Sequence, residues 1–185
     1  MEDIFKKLDH GTSQEKIDVL KSLAFTSDLE KIKKTISKLD DEDIQVRGEA
    51  FSSLILNKNK ISDLLIKSLN VKSKYIRGYT ALVLANRNDV DAISEIAKMV
   101  NDQSSMVRSC ALGALGHLRA REAKNAIENC LTDRNLEVRK SALQAAIYIG
   151  YKISENKIKE ISKESDPELE RLLANIKKNG GPEGI

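Results

Sequence analysis

The sequence predicts an all-α fold, an α-solenoid of about six stacked antiparallel helix pairs, and three observations predict it. A hydrophobic anchor recurs at Val46, Ile76, Val107, Val138 and Leu169, in steps of 30, 31, 31 and 31 residues. An Arg follows four of these anchors, at Arg47, Arg77, Arg108 and Arg139, and Glu170 breaks the series. A small residue stands four places past the same anchors, at Ala50, Thr80, Ala111 and Ala142, with Leu173 the exception. A fixed period near 31 residues with helical spacing inside each unit marks helix pairs that bury their apolar faces by stacking.

Taken in order, residues 1–9 hold a short amphipathic turn or two (Ile4, Phe5, Leu8). Thr12 and Glu15 have the spacing of a capping box opening a helix to about residue 25. Ser27 and Glu30 repeat that spacing before Leu29, Ile32, Ile36 and Leu39. First helices are then expected near 28–39, 60–69, 89–100, 120–131 and 154–163. Second helices are expected near 13–25, 43–57, 73–86, 104–118, 135–150 and 167–178. Asp166-Pro167 places an N-cap before a proline at the first helical position. The end repeats depart from the pattern as caps must, with Lys16 in place of the first anchor and Glu170 in place of the last Arg. One domain over residues 1–178 and a frayed tail over 179–185 follow, the stack forming a curved rod on the order of 55 Å long.

Composition narrows the function classes. The 185 residues are 41% hydrophobic and 32% charged, with no Trp and two Pro, which suits long runs of soluble helix. Net charge is +3, spread as −1, +3 and +1 over residues 1–60, 61–130 and 131–185. No block is basic enough for a dedicated nucleic-acid surface. Two cysteines, Cys110 and Cys130, make neither a disulfide framework nor a metal-ligand spacing. Neither a signal peptide nor a membrane-length apolar run is present, so a cytoplasmic monomer is expected, with no membrane partner.

The phrase Asp102-x4-Val107-Arg108-x2-Ala111-Leu112-x2-Leu115-Gly116, repeated from Asp133 through Leu143, resembles HEAT repeats. The short period is most similar to the subgroup found in phycobilin lyases and many prokaryotic proteins. The resemblance covers residues 28–178 and implies a right-handed, armadillo-like superhelix whose second helices line the concave side. It implies an interaction scaffold in most cases, and a bilin lyase, a metal hydroxylase or a DNA glycosylase in a minority.

The Arg row reads as structural. Each Arg lies about 100° round the helix from a buried anchor, where it can cover its stem and reach the Asp of a nearby turn (Asp41 or Asp43, Asp102, Asp133) or exposed carbonyls. An Asp–Arg network clamping one repeat to the next is the expectation. Catalytic chemistry is not apparent. His10 and His117 are the only histidines, and neither stands in the His-Glu pair that the resembled hydroxylases use. Cys110 and His117 share a helix face, but seven residues of helix separate their backbones by about 10.5 Å, too far for a thiolate–imidazole pair. Gly-rich phosphate loops are missing, and without Trp a base-stacking glycosylase loses support. A non-enzyme without cofactor or metal is expected.

The face opposite each anchor remains. Positions +2, +3, +6 and +10 read Gly48, Glu49, Ser52, Leu56; Gly78, Tyr79, Leu82, Asn86; Ser109, Cys110, Gly113, His117. They continue as Lys140, Ser141, Gln144, Tyr148 and Arg171, Leu172, Asn175, Asn179. Only Glu49, Lys140 and Arg171 are charged there, so the face is neutral in a highly charged chain. Such a face either lets helices approach or floors a binding groove, and Gly113 stands in the middle of it. The candidate partner-binding residues are Glu49, Tyr79, Cys110, Gly113, His117, Lys140, Gln144 and Tyr148. A protein partner suits Tyr anchors and neutral hydrogen-bonding groups. A small planar ligand in a lyase-like accessory role is the alternative. Weak backbone binding of nucleic acid by Lys31, Lys33, Lys34 and Lys38 is the third reading; their acidic neighbours make a solvated face the better account.

Overall fold

Every helix in this chain is short, and its position is set by side chains that finish its ends. The computed structural model describes residues 2–161 and 166–179, with side chains over 3–161 and 166–175. The chain forms two compact units, Met1–Ala92 and Ile93–Ile185. The first holds α1 (Glu2–His10), α2 (Ser13–Leu23), α3 (Leu29–Ser37), α4 (Ile44–Leu56), α5 (Ser62–Ser68) and α6 (Lys74–Asn86). The second holds α7 (Ile93–Lys98), α8 (Ser105–His117), α9 (Lys124–Asn129), α10 (Leu136–Tyr148), α11 (Glu155–Ile161) and α12 (Pro167–Asn179). Strands are absent among the described residues, and no described helix is long and apolar enough to cross a membrane. The all-α solenoid architecture is therefore observed, with boundaries within a few residues of those read from periodicity. The tail expected at 179–185 lies, past Asn179, outside the described residues.

The caps explain the boundaries. Thr12 and Glu15 form the expected capping box, each side chain accepting from the other's backbone N–H at 3.3 and 2.8 Å. The second expected box is corrected: Asp28, not Ser27, caps α3, accepting from Glu30 N at 2.9 Å and Lys31 N at 3.2 Å. A carboxylate next to the first helical residue reaches two free N–H groups there, and the exposed Ser27 is left outside. Asp43, Ser73, Asn135 and Asp166 cap later second helices in the same way. At the other end, α6, α8 and α10 stop on left-handed residues 31 apart, Asn88, Arg119 and Gly150. The following N–H then returns to the carbonyl five residues back, as Ala120 N does to Leu115 O at 3.0 Å.

Inside the first unit, α2, α4 and α6 stack side by side, and Leu20, Val46, Ala50, Leu54 and Leu84 are buried. Inside the second unit α8 and α10 make the closest helix contact. Ala111, Ala114, Ala142 and Ala145 are buried along it. A Cβ on Gly116 would lie 3.0 Å from both Ala145 Cα and Tyr148 Cδ2. Close approach thus depends on Gly116, three residues beyond the solvent-exposed Gly113.

The Arg row turns out to tie turns as much as repeats. Arg47 donates to the carbonyls of Asp41 (2.7 Å) and Glu42 (3.0 Å), and Arg77 to those of Val71 (3.0 Å) and Lys72 (2.6 Å). Arg108 does the same to Asp102 (2.9 Å) and Gln103 (3.3 Å), and Arg139 to Asp133 (2.6 Å). The expected Asp–Arg clamp is added at Arg108, whose Nε and Nη2 each meet Asp133 at 2.8 Å. Asp133 also accepts from Asn135 N, as Asp41 does from Asp43 N and Asp102 from Ser104 N. Although burial opposes it, the guanidinium helps hold Asp133 below the usual carboxylate range.

Lys16 needs a correction of register. Its ammonium meets Asp41 at 3.0 Å, the place in the repeat where Arg108 meets Asp133. Lys16 therefore belongs to the Arg row, and Glu15, used by the capping box, stands where the anchor would be.

One rung of this ladder is missing. Five residues before each anchor stand Asp41, Asp102 and Asp133, but Val71 occupies that place before Ile76. Arg47 Nε is buried and without a partner, and its guanidinium instead lies 5.3 Å from the Tyr75 ring centroid.

Three outcomes are expected in denaturation experiments. Arg108→Ala should cost about 1–3 kcal/mol by leaving turn carbonyls and Asp133 without their donor, and Arg108→Lys should recover only part of it. Gly116→Ala should destabilise by about 1–3 kcal/mol through overpacking against Ala145. Val71→Asp should raise stability by about 1 kcal/mol, despite replacing an apolar residue, because it gives Arg47 Nε an acceptor; a variant less stable than the parent would refute that repair.

Candidate binding faces

The opposite arcs of the second helices supply the candidate surface, and each unit presents its own. In the first unit, α4 and α6 frame a shallow, mainly apolar depression of about 220 Å³ lined by Ile44, Arg47, Gly48, Phe51, Tyr79 and Leu82. Its floor is open at Gly48, where an added Cβ would meet nothing within 4 Å. Its walls are aromatic: Phe51 meets Tyr79 edge to face at 6.5 Å, and Tyr75 stacks on Tyr79 at 6.1 Å. Ile44 is 72% exposed at the rim, and Leu56 is also exposed. Glu49 is half-buried and accepts from the Ser53 hydroxyl at 3.4 Å, on the side of α4 where Ser53 also donates to Leu20 O of α2.

In the second unit, a depression of about 240 Å³ lies over α8, α10 and α12. Gly113, Lys140, Ser141, Gln144 and Tyr148 line it, with Glu137 and Glu168 on its edge. Tyr148 is 55% exposed. Lys140 is already committed, its ammonium lying 3.1 Å from Asp166, 3.2 Å from Glu137 and 3.2 Å from Glu168. The hydrogen bond to Asp166 above all holds that ammonium charged. It ties α10 to the N-terminus of α12.

Of the expected site residues, Tyr79 therefore lines one depression, Gly113, Lys140, Gln144 and Tyr148 line the other, and Glu49 lines neither. Cys110 is half-buried on α8, and burial pushes its thiol up to about 11, so it is not a thiolate near neutral pH. His117 is exposed at the last turn of α8, and His10 is exposed at the end of α1. Two members of the arc are corrected: Gly78 and Leu172 are buried rather than presented to solvent. Ile44 and Phe51 escaped sequence reasoning because they fall at −2 and +5 from Val46, outside the arc that was read, and Tyr75 because it stands one residue before Ile76, ahead of the positions counted from each anchor. Among the described residues, no group of three His, Cys, Asp or Glu side chains is placed to hold a metal ion.

Comparison with known proteins bears on the same helices. The family described as HEAT repeats matches residues 61–147. No curated protein matches the sequence. Among solved structures, the complex of CpcE and CpcF of phycocyanin lyase from Nostoc sp. PCC7120 superposes with a TM-score of 0.69 at 15% identity. That match covers 81% of this chain and 99% of the other. A designed armadillo repeat protein in complex with the peptide (KR)4 superposes at 0.59 and 17% identity, covering 96% and 98%. Human deoxyhypusine hydroxylase, solved with glycerol, gives 0.53 at 14% identity, covering 95% and 82%. At these identities the likeness is one of fold. Residues 61–147 thus match HEAT repeats, and the same helix-pair pattern continues on either side of them.

Proposed function

We propose that the chain is a non-catalytic scaffold that binds a protein partner through the exposed faces of its second helices, foremost α4 and α6. The observation that carries this reading is the aromatic-walled, apolar depression around Gly48, open to solvent in a chain that is 32% charged. Exposed apolar surface rimmed by polar residues marks interaction sites, and Tyr and Phe give large contact area at low entropic cost. The structural likeness to a designed armadillo repeat protein that holds a peptide supports the same use of this architecture.

A lyase-like accessory role toward a small planar ligand is the second reading. The stacked pair Tyr75–Tyr79 and the likeness to the CpcE–CpcF complex favour it. Size argues against it. Small-molecule pockets run to about 300–1,000 Å³, whereas this depression holds about 220 Å³ and is shallow. One or two apolar side chains of a partner fill it better than an extended ring system.

Gly48 offers the test because its surroundings are empty. Gly48→Ala should stabilise the chain by up to about 1 kcal/mol through helix propensity, and Gly48→Arg should melt close to the parent. A photo-crosslinking side chain at Gly48 should capture a protein from the source cell that the same side chain at Lys33, on α3, does not. Gly48→Arg should abolish capture from a crosslinker at neighbouring Leu82. Equal capture at Gly48 and Lys33 would defeat the proposal. A small absorbing molecule that co-purifies with the parent but not with Gly48→Arg would favour the planar-ligand reading instead.

A further inference from the structure

A second surface, away from the helix faces just described, carries its own chemistry. Between the turn that opens α9 and the turn that follows α10 lies a depression of about 310 Å³ lined by Arg121, Lys124, Ile149, Gly150, Tyr151 and Lys152. Three of its six lining residues are cations, and all three are exposed. Several other lysines of the chain are paired with carboxylates, Lys16 with Asp41, Lys34 with Asp9 and Lys140 with Asp166. Here, among the described residues, Arg121, Lys124 and Lys152 have no ion-pair partner, and Lys124 rests its ammonium 4.7 Å from the Tyr151 ring centroid. Burial, and then the Glu128 carboxylate beside it, push the Tyr151 hydroxyl up to about 12. At Gly150, with φ of +70° and nothing within 4 Å of where a Cβ would stand, the backbone is open to an approaching chain.

The repeat itself does not call for these charges. Thirty-one residues upstream, Val90 takes the place of Arg121 and Ile93 that of Lys124, with Asp89 and Asp91 alongside. Three unpaired cations within one pair of turns, around an aromatic ring, are therefore a local addition to a fold that stands without them. Like charges held together in this way weaken the fold slightly, and an anion relieves them.

We infer that this turn pair is a docking site for an acidic peptide segment of a partner protein, with Arg121, Lys124 and Lys152 meeting its carboxylates and the half-buried Tyr151 ring its apolar side chains. A peptide fits better than a nucleic acid because the cations occupy one turn pair instead of a stripe following a phosphate backbone. It fits better than a bound phosphate because the cations are long, exposed side chains that gather charge without fixing a tetrahedral geometry. Such contacts act chiefly on encounter and are screened by salt over a Debye length of about 8 Å at physiological ionic strength.

The test uses the full chain and a fluorescein-labelled octaglutamate peptide, read by fluorescence anisotropy at low and physiological salt. Binding at low salt should weaken as salt rises. The double variant Arg121→Glu/Lys152→Glu should bind about tenfold more weakly or worse, while Lys58→Glu, an exposed charge reversal in the other unit, should bind as the parent does. Arg121→Gln/Lys152→Gln provides a milder loss if the reversal unfolds the chain by circular dichroism. Peptide binding unchanged in the folded double variant, or absent at low salt, would overturn the inference. So would inorganic phosphate displacing the peptide at equal charge concentration, or a labelled single-stranded oligonucleotide binding more tightly and losing its binding in the same variants.

Discussion

The carbonyls that close each first helix need a donor, and the cation beside each anchor supplies it. In α4, α6, α8 and α10 that donor is a guanidinium, placed six residues after the first carbonyl it meets. The geometry follows from sequence spacing: the turn brings the chain back by one helix width, and the Arg stem runs along it to the carbonyl edge. Burial makes the arrangement obligatory. Arg77, Arg108 and Arg139 are all at most 9% exposed, and an unpaired carbonyl beside them would cost about as much as a lost hydrogen bond. This contact fixes the angle between the two helices of a pair, and the apolar arcs then stack in register.

Much of this was legible because it is periodic. Anchors 31 residues apart declare which side of a helix is buried, and the Asp, Ser and Asn caps declare where it starts. What escaped was anything set by a single atom's reach. Whether Ser27 or Asp28 caps α3 depends on one residue of offset, which propensity does not resolve. Whether Lys16 is an anchor replacement or a member of the Arg row depends on a step of 30 or 31 residues, and the chain uses both. The neutral faces were legible only as an absence of charge; Phe51 lies off the arc that was read, and Tyr75 precedes the anchor from which that arc was counted.

Gly113 and Gly116 show the same limit from the packing side. Three residues apart on a helix leaves the two glycines only about 60° apart round the axis, so the edge of the α8–α10 contact runs between them, with Gly116 against Ala145 and Gly113 exposed. Composition offers two reasons for a mid-helix glycine, close approach and open space, and α8 contains one of each. The Ala145 backbone 3.0 Å from the place of a Gly116 Cβ accounts for one. The other lines the depression shared with Gln144 and Tyr148.

The missing rung bears on the proposed partner site. Val71 deprives Arg47 of the carboxylate that Arg108 finds in Asp133, and the same Arg47 lies on Tyr75 and lines the depression at Gly48. A buried Nε without an acceptor is a cost with no structural return in view. Departures from an otherwise consistent local rule gather where a surface is kept for another purpose. In the parent repeat the guanidinium would be drawn across to the next turn and held there by two further bonds. Released from that duty, it turns its planar face to an aromatic ring and stays at the edge of an apolar hollow. The defect in the ladder and the one aromatic-walled depression of the first unit thus share a residue. That coincidence gives the α4–α6 face a stronger claim to a partner than the face of α8 and α10, where Arg108 keeps its carboxylate and Lys140 is tied to three acids.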